Sequence, residues 1–269
     1  MADPLLPCYD LIRRVEPSVI ETALWNIIET KPELTDQLLQ TVDVPLKTME
    51  DPTSHEVFIK CDYNRDIDSY RSPSTSKYYP PLPDGQQPSK RLRQIEIQAN
   101  QAFTSCTKLY SSEGICSVYL WDIEPGQFGF GCFIKNKVNT TLRGGQPVNG
   151  WIDCIDIIEV RESNKQATYK MTSSFLMSIE MGIGLDSPIK ISGSSGTRSE
   201  KTCAVNNDID HIVNCGELVE NNSDKFRGIL QHIIVQNVKR VHGIVSMNDV
   251  REDATTKAFR DEIMSKLRK

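Results

Sequence analysis

The chain reads as an α+β fold: a short N-terminal helical bundle, an irregular segment, a central antiparallel sheet covered by a long helix, and a C-terminal amphipathic helix. Three observations predict it. Proline-separated apolar stripes of helical spacing fill residues 1–46, alternating apolar runs follow Ile115, and a stripe from Ile209 to Val241 returns to helical spacing. The expected divisions are 1–46 for the helices, 47–110 for irregular structure and a connecting helix, 111–200 for the sheet, 201–243 for the long helix and 244–269 for the terminal segment.

In the first division Tyr9, Leu11, Ile12 and Val15 precede Pro17. Ile20, Leu24, Ile27 and Ile28 end before Pro32, and Leu34, Leu38, Leu39 and Val42 end before Pro45. Each stripe is too short to stand alone, so the three are expected to pack together. From Lys47 to Gln87 periodicity gives way to Pro52, Pro73, Pro80, Pro81, Pro83 and Gly85. A helix then follows Pro88-Ser89, with Ser89 as its N-cap and Leu92, Ile95, Ala99, Ala102 and Phe103 on one face.

Strands are expected over Ile115 to Trp121, Phe128 to Ile134, Trp151 to Val160 and Ala167 to Ile179. The turns between them are short, which favours an antiparallel meander. The long helix has Ile212, Val213, Val219, Phe226, Leu230, Ile233, Ile234 and Val238 largely on one face and needs the sheet to cover it; Gly243 ends it. In the last segment Phe259, Ile263, Met264 and Leu267 share a face flanked by Lys257, Arg260, Lys266, Arg268 and Lys269. That set either fills a partner's groove or docks on its own domain.

With 38% apolar residues the chain can build a sizeable core, and its net charge of −5 gives no global attraction to nucleic acid or an anionic membrane. No apolar run reaches a membrane span, and residues 1–15 lack a signal-peptide layout, so the protein reads as cytosolic. Its eight cysteines include no C-x-x-C pair and read as reduced, mostly buried groups. The sequons at Asn139 and Asn221 then read as chance.

Chemistry-bearing motifs are weak. Asp62-Tyr-Asn64-Arg-Asp66-Ile-Asp68 starts like a calcium loop but has Ile67 at the glycine position and Pro73 at the glutamate position. Pairing of its carboxylates with Arg65 and Arg71 in a polar knot is the better reading, and no metal is expected. Ser192 to Arg198 lacks the Lys-Ser/Thr of a phosphate loop and reads as a turn between strand and helix. The S-x-x-K pairs Ser74–Lys77 and Ser105–Lys108 lack companion motifs. His55, His211, His232 and His242 are scattered and read as surface or packing residues. No catalytic residue and no cofactor is expected.

The failed calcium loop carries the clearest resemblance. Cys61-Asp-Tyr-Asn-Arg-Asp-Ile-Asp-Ser-Tyr-Arg-Ser-Pro73 closely resembles the signature of F-actin capping protein beta subunits. The likeness continues through Tyr78, Pro80-Pro-Leu82, Arg91-Leu-Arg93, Glu96, Ala99-Asn100, Ser117 to Asp122, Trp151 to Val160, and His211 to Glu220. Ser74 and Ser76 depart from it, standing where the family usually has tryptophan and asparagine.

The resemblance implies a three-helix stalk, an irregular globule, a sheet continuing into that of an alpha subunit, and a C-terminal tentacle helix. It implies an obligate heterodimer with the capping protein alpha subunit that binds the barbed end of actin filaments, independently of calcium, and blocks subunit addition and loss. The protein would then be cytoplasmic and cytoskeletal. The actin-binding residues carried over are Phe259, Ile263, Met264 and Leu267 of the tentacle and Arg227 of the long helix, on a surface similar to the family's phosphoinositide-sensitive one. Phosphoinositides and regulatory peptides are further expected ligands. A heterodimeric scaffold or adaptor of the same fold with weak or no capping is the alternative.

Overall fold

The computed structural model describes residues 15–34, 44–141, 147–182 and 189–232. The chain divides into two compact units, Met1–Val219 and Glu220–Lys269.

Helix α1 spans Pro17–Thr30, with proline at the first position, where its missing N–H costs nothing. It stops one residue short of Pro32, as the constraint on the residue before proline requires. Ile20 and Leu24 are buried in a cluster with Leu46, Tyr119, Phe133, Ile155 and Leu176, so the stripe is spent on one face of the sheet. The first and third predicted helical stripes lie outside the described residues, apart from Val15 and Leu34.

The irregular segment forms two small sheets: β1 (Lys47–Glu50) with β2 (Val57–Lys60), and β3 (Arg65–Asp66), β4 (Ser69–Arg71) and β5 (Tyr78–Tyr79). Side chains tie them down. Asp51 accepts from Thr53 N–H, Thr75 Oγ1 and Tyr79 Oη. Burial alone would raise its pKa, but these bonds and one from Ser72 hold it well below the usual carboxylate range.

Helix α2 covers Lys90–Tyr110 with Leu92, Ile95, Ala99 and Phe103 buried. Ala102, expected on that face, is exposed: the helical rotation that buries Ala99 and Phe103 turns it outward, and Glu96 lies inside instead. Ser89 occupies the N-cap position without a side-chain cap bond; its backbone N–H donates to Asp122 Oδ2 at 2.7 Å.

The central sheet runs β10-β9-β8-β7-β6, antiparallel at each pairing, from β6 (Ile115–Glu124), β7 (Gln127–Thr141), β8 (Pro147–Ser163), β9 (Gln166–Met181) and β10 (Ile189–Ala204). The strands outrun their apolar runs because ladder pairing continues past the buried centre. Asn164 and Lys165 make the β8–β9 turn with φ of 38° and 60°, positive at both residues as a tight hairpin needs. Trp121 lies across β7, where a Cβ on Gly129 would stand 1.9 Å from its ring, and Tyr63 stacks on it at 4.4 Å.

Helix α3 is described over residues 208–232. Its first three turns place Ile212, Cys215, Leu218 and Val219 with α2 against Phe128, Phe130, Ile158 and Tyr169 of the sheet. Val213, expected on that face, is exposed, since it sits about 100° around the helix from Ile212. The result is a sheet with α1 on one face and α2 and the start of α3 on the other. Each large side chain fully buried there contributes about 1.5–3 kcal/mol.

Ser192–Arg198 is not a turn. It is the middle of β10, paired from Ser192↔Ser178 to Arg198↔Thr172. Serine and glycine give it no apolar alternation, and the partner strand β9 decides its conformation.

Candidate interaction edge

The two edges of the central sheet differ. On β6, Val118 N–H donates to Asn100 Oδ1 at 2.9 Å, Asn100 Nδ2 returns to Val118 O at 2.8 Å, and Leu120 N–H donates to Glu96 Oε2 at 2.7 Å. Side chains of α2 therefore occupy the groups that an added strand would use. On β10, sixteen residues long, Ser192, Ser195, Arg198, Glu200, Lys201 and Thr202 are exposed. Among the described residues no strand pairs with its outer side. A long edge of this kind is a template for strand addition.

Glu96 does more than seal β6. Its carboxylate takes Arg71 Nη1 and Nη2 at 2.7 and 2.8 Å, and also Arg93 Nη1, while Arg71 lies 5.8 Å from the centre of the Tyr119 ring. This corrects the expected pairing: Arg71 reaches Glu96 on α2 and not the Asp62–Asp68 carboxylates, because it points into the core. Arg65 does stay local, 3.7 Å from Asp68. Asn64 supplies the rest of the knot, accepting from Cys61 N–H and donating to Ile59 O and Arg71 O. A charged residue inside the stripe Leu92, Ile95, Ala99 was the available signal for Glu96.

Ile67 takes φ 54° and is 73% exposed. A β-branched residue in the left-handed region is strained by about 1–2 kcal/mol, and little burial offsets it. Ile67→Gly is expected to stabilise the chain by about 1 kcal/mol, read as a higher urea midpoint; an unchanged or lower midpoint would contradict the strain.

Among the described residues, no group of three or more His, Cys, Asp or Glu side chains is placed to hold a metal. Burial pushes the Cys61 thiol up to about 12 and raises that of Cys215; a hydrogen bond with Cys116, and then burial, raises that of Cys132. Such thiols are poor nucleophiles. Open clefts of about 300 and 420 Å³ lie on the charged sheet face around Glu159, Lys170 and Glu200. Of the residues expected to bind a partner, Arg227 is on α3, exposed, with Nη1 2.8 Å from Asp224 Oδ1. Phe259, Ile263, Met264 and Leu267 lie outside the described residues.

These features define a class: a mixed α/β chain of three described helices and a five-stranded antiparallel meander, whose polar clusters bind its own backbone and whose β10 edge faces outward. Comparison with known proteins gives the particular family. The profile described as "F-actin capping protein, beta subunit" matches residues 5–242, and the chain belongs to that family. F-actin-capping protein subunit beta of Dictyostelium discoideum is 40% identical over 235 residues, covering 87% of this chain and 86% of the relative. That of Caenorhabditis elegans is 36% identical, covering 99% and 97%, and that of Drosophila melanogaster 36%, covering 98% and 95%. Among solved structures, that of homodimeric actin capping protein alpha subunit from Plasmodium berghei aligns with TM-score 0.50 and 11% identity, over 87% of this chain and 92% of that one, a likeness of fold.

Proposed function

We propose that the chain is the non-catalytic beta subunit of a heterodimeric capping protein, which binds barbed ends of actin filaments without calcium and blocks addition and loss of subunits. Membership of the beta family carries this reading. The β10 edge supports it, because a partner subunit's strand can extend the sheet there and not at the side-chain-sealed β6 edge. In this reading residues 1–46 form a stalk, 47–110 the globule, 111–200 the shared sheet, 201–243 the long helix and 244–269 the actin-binding tentacle. Arg227 belongs to the basic surface facing actin or phosphoinositide headgroups, regulatory peptides bind elsewhere on the heterodimer, and the complex works in the cytoplasm on the cytoskeleton.

The test is pyrene-actin elongation from barbed-end seeds with the chain co-expressed with its alpha subunit. Substoichiometric arrest, unchanged by calcium chelation, is expected. A well-formed heterodimer that leaves elongation untouched would favour a scaffold or adaptor of the same fold.

A further inference from the structure

His211, on the first turn of α3, is fully buried and bonded through both ring nitrogens. Nε2 is 2.9 Å from Glu162 Oε1 at the end of β8, and Nδ1 is 2.9 Å from Tyr169 Oη on β9. The carboxylate can only accept, so Nε2 carries the proton and Nδ1 accepts from the Tyr169 hydroxyl. That hydroxyl in turn accepts from Asn214 Nδ2 at 3.0 Å. Phe128 of β7 closes the site edge-on at 5.2 Å. Arg91 of α2 binds Glu162 and also Asp208, one turn before the histidine. The chain of donors and acceptors is complete with a neutral imidazole.

A second proton on Nδ1 breaks it. Nδ1–H then faces the Tyr169 oxygen, which already accepts from Asn214, and the tyrosine proton loses the imidazole nitrogen as its acceptor. We propose that His211 is a proton-sensitive latch that holds the first three turns of α3 on the sheet when neutral and loosens them when protonated. The latch stands on this cluster and needs nothing from the capping reading.

Glu162, Asp210 and Arg91 keep their charge across the relevant range. Arg91 holds Glu162 below the usual carboxylate range, the Asn206 N–H holds Asp210 low, and Asp208 is bonded to Arg91. Burial raises the Tyr169 hydroxyl, and the Glu162 and Asp208 hydrogen bonds keep Arg91 charged. Burial pushes the His211 imidazole below its usual value, against the upward pull of Glu162. The unlatched state therefore binds more protons between the latched value and the ordinary one near 6.5. The latch is complete above about pH 6.5 and is lost as pH falls below it.

The experiment is amide hydrogen exchange on the full-length chain in its heterodimer, from pH 7.5 to 5.5, with intrinsic rates divided out. Protection of residues 211–219 is expected to fall about fivefold between pH 6.5 and 5.5, while β7 and β8 stay constant. His211→Gln donates to Glu162 and accepts from Tyr169 without titrating, and is expected to give a flat profile. Constant wild-type protection, or a fall that persists in His211→Gln, overturns the proposal. The wild-type profile decides alone if the variant does not assemble.

Discussion

Glu96→Ala is expected to cost about 3–5 kcal/mol of folding stability, because it leaves a buried guanidinium without its counter-charge. The Arg71 side chain is 3% exposed and gives both terminal nitrogens to this carboxylate. The same substitution takes the acceptor from Arg93 Nη1, whose Nη2 still donates to Pro73 O and Ser74 O, and from the Leu120 N–H. Glu96→Gln keeps an acceptor for Leu120 and is expected to lose less. Removing both charges with Arg71→Met and Glu96→Leu is expected to lose less than Glu96→Ala, since apolar replacements avoid the stranded charge. Urea unfolding of the heterodimer measures all three. Glu96→Ala within about 1 kcal/mol of wild type would show that Arg71 finds another partner or water, and the cluster would not be a keystone.

Ile263→Ala with Leu267→Ala is expected to weaken barbed-end capping by about a hundredfold to ten-thousandfold. If each side chain is buried in a groove of the terminal actin protomer, its loss removes about 1.5–3 kcal/mol, and about 1.4 kcal/mol is a factor of ten in affinity. Heterodimer formation should be unaffected, so the readout is the half-maximal concentration for arrest of pyrene-actin elongation beside gel filtration of the complex. Unchanged capping would remove the tentacle role from these residues; lost assembly would assign them to the subunit's own packing.

Helical periodicity revealed α1, α2 and α3 because each buries a stripe, and the stripe is written in consecutive turns. It misjudged Ala102 and Val213, where apolar residues fall just outside the buried arc, and it was silent about Glu96, whose burial depends on Arg71 from another element. Strands β6 to β9 were legible from their apolar runs. β10 was not: Ser192–Arg198 carries the composition of a turn, and only its pairing with β9 makes it a strand. The candidate edge was missed with it. Arg227 was identified from resemblance, and the described structure places it on an exposed helix surface.

The sequence by itself determined the family, helices α1 to α3 with strands β6 to β9, and the class of function proposed, since these rest on motifs and spacings that lie within short windows. Only the tertiary structure decided which sheet edge is sealed, which edge strand has no outer partner strand among the described residues, and which polar groups are locked together. The reason is range. Leu46 N–H reaches Asp153 across 107 residues and His211 reaches Glu162 across 49, and hydrogen bonds between such distant positions leave no periodic trace in the chain.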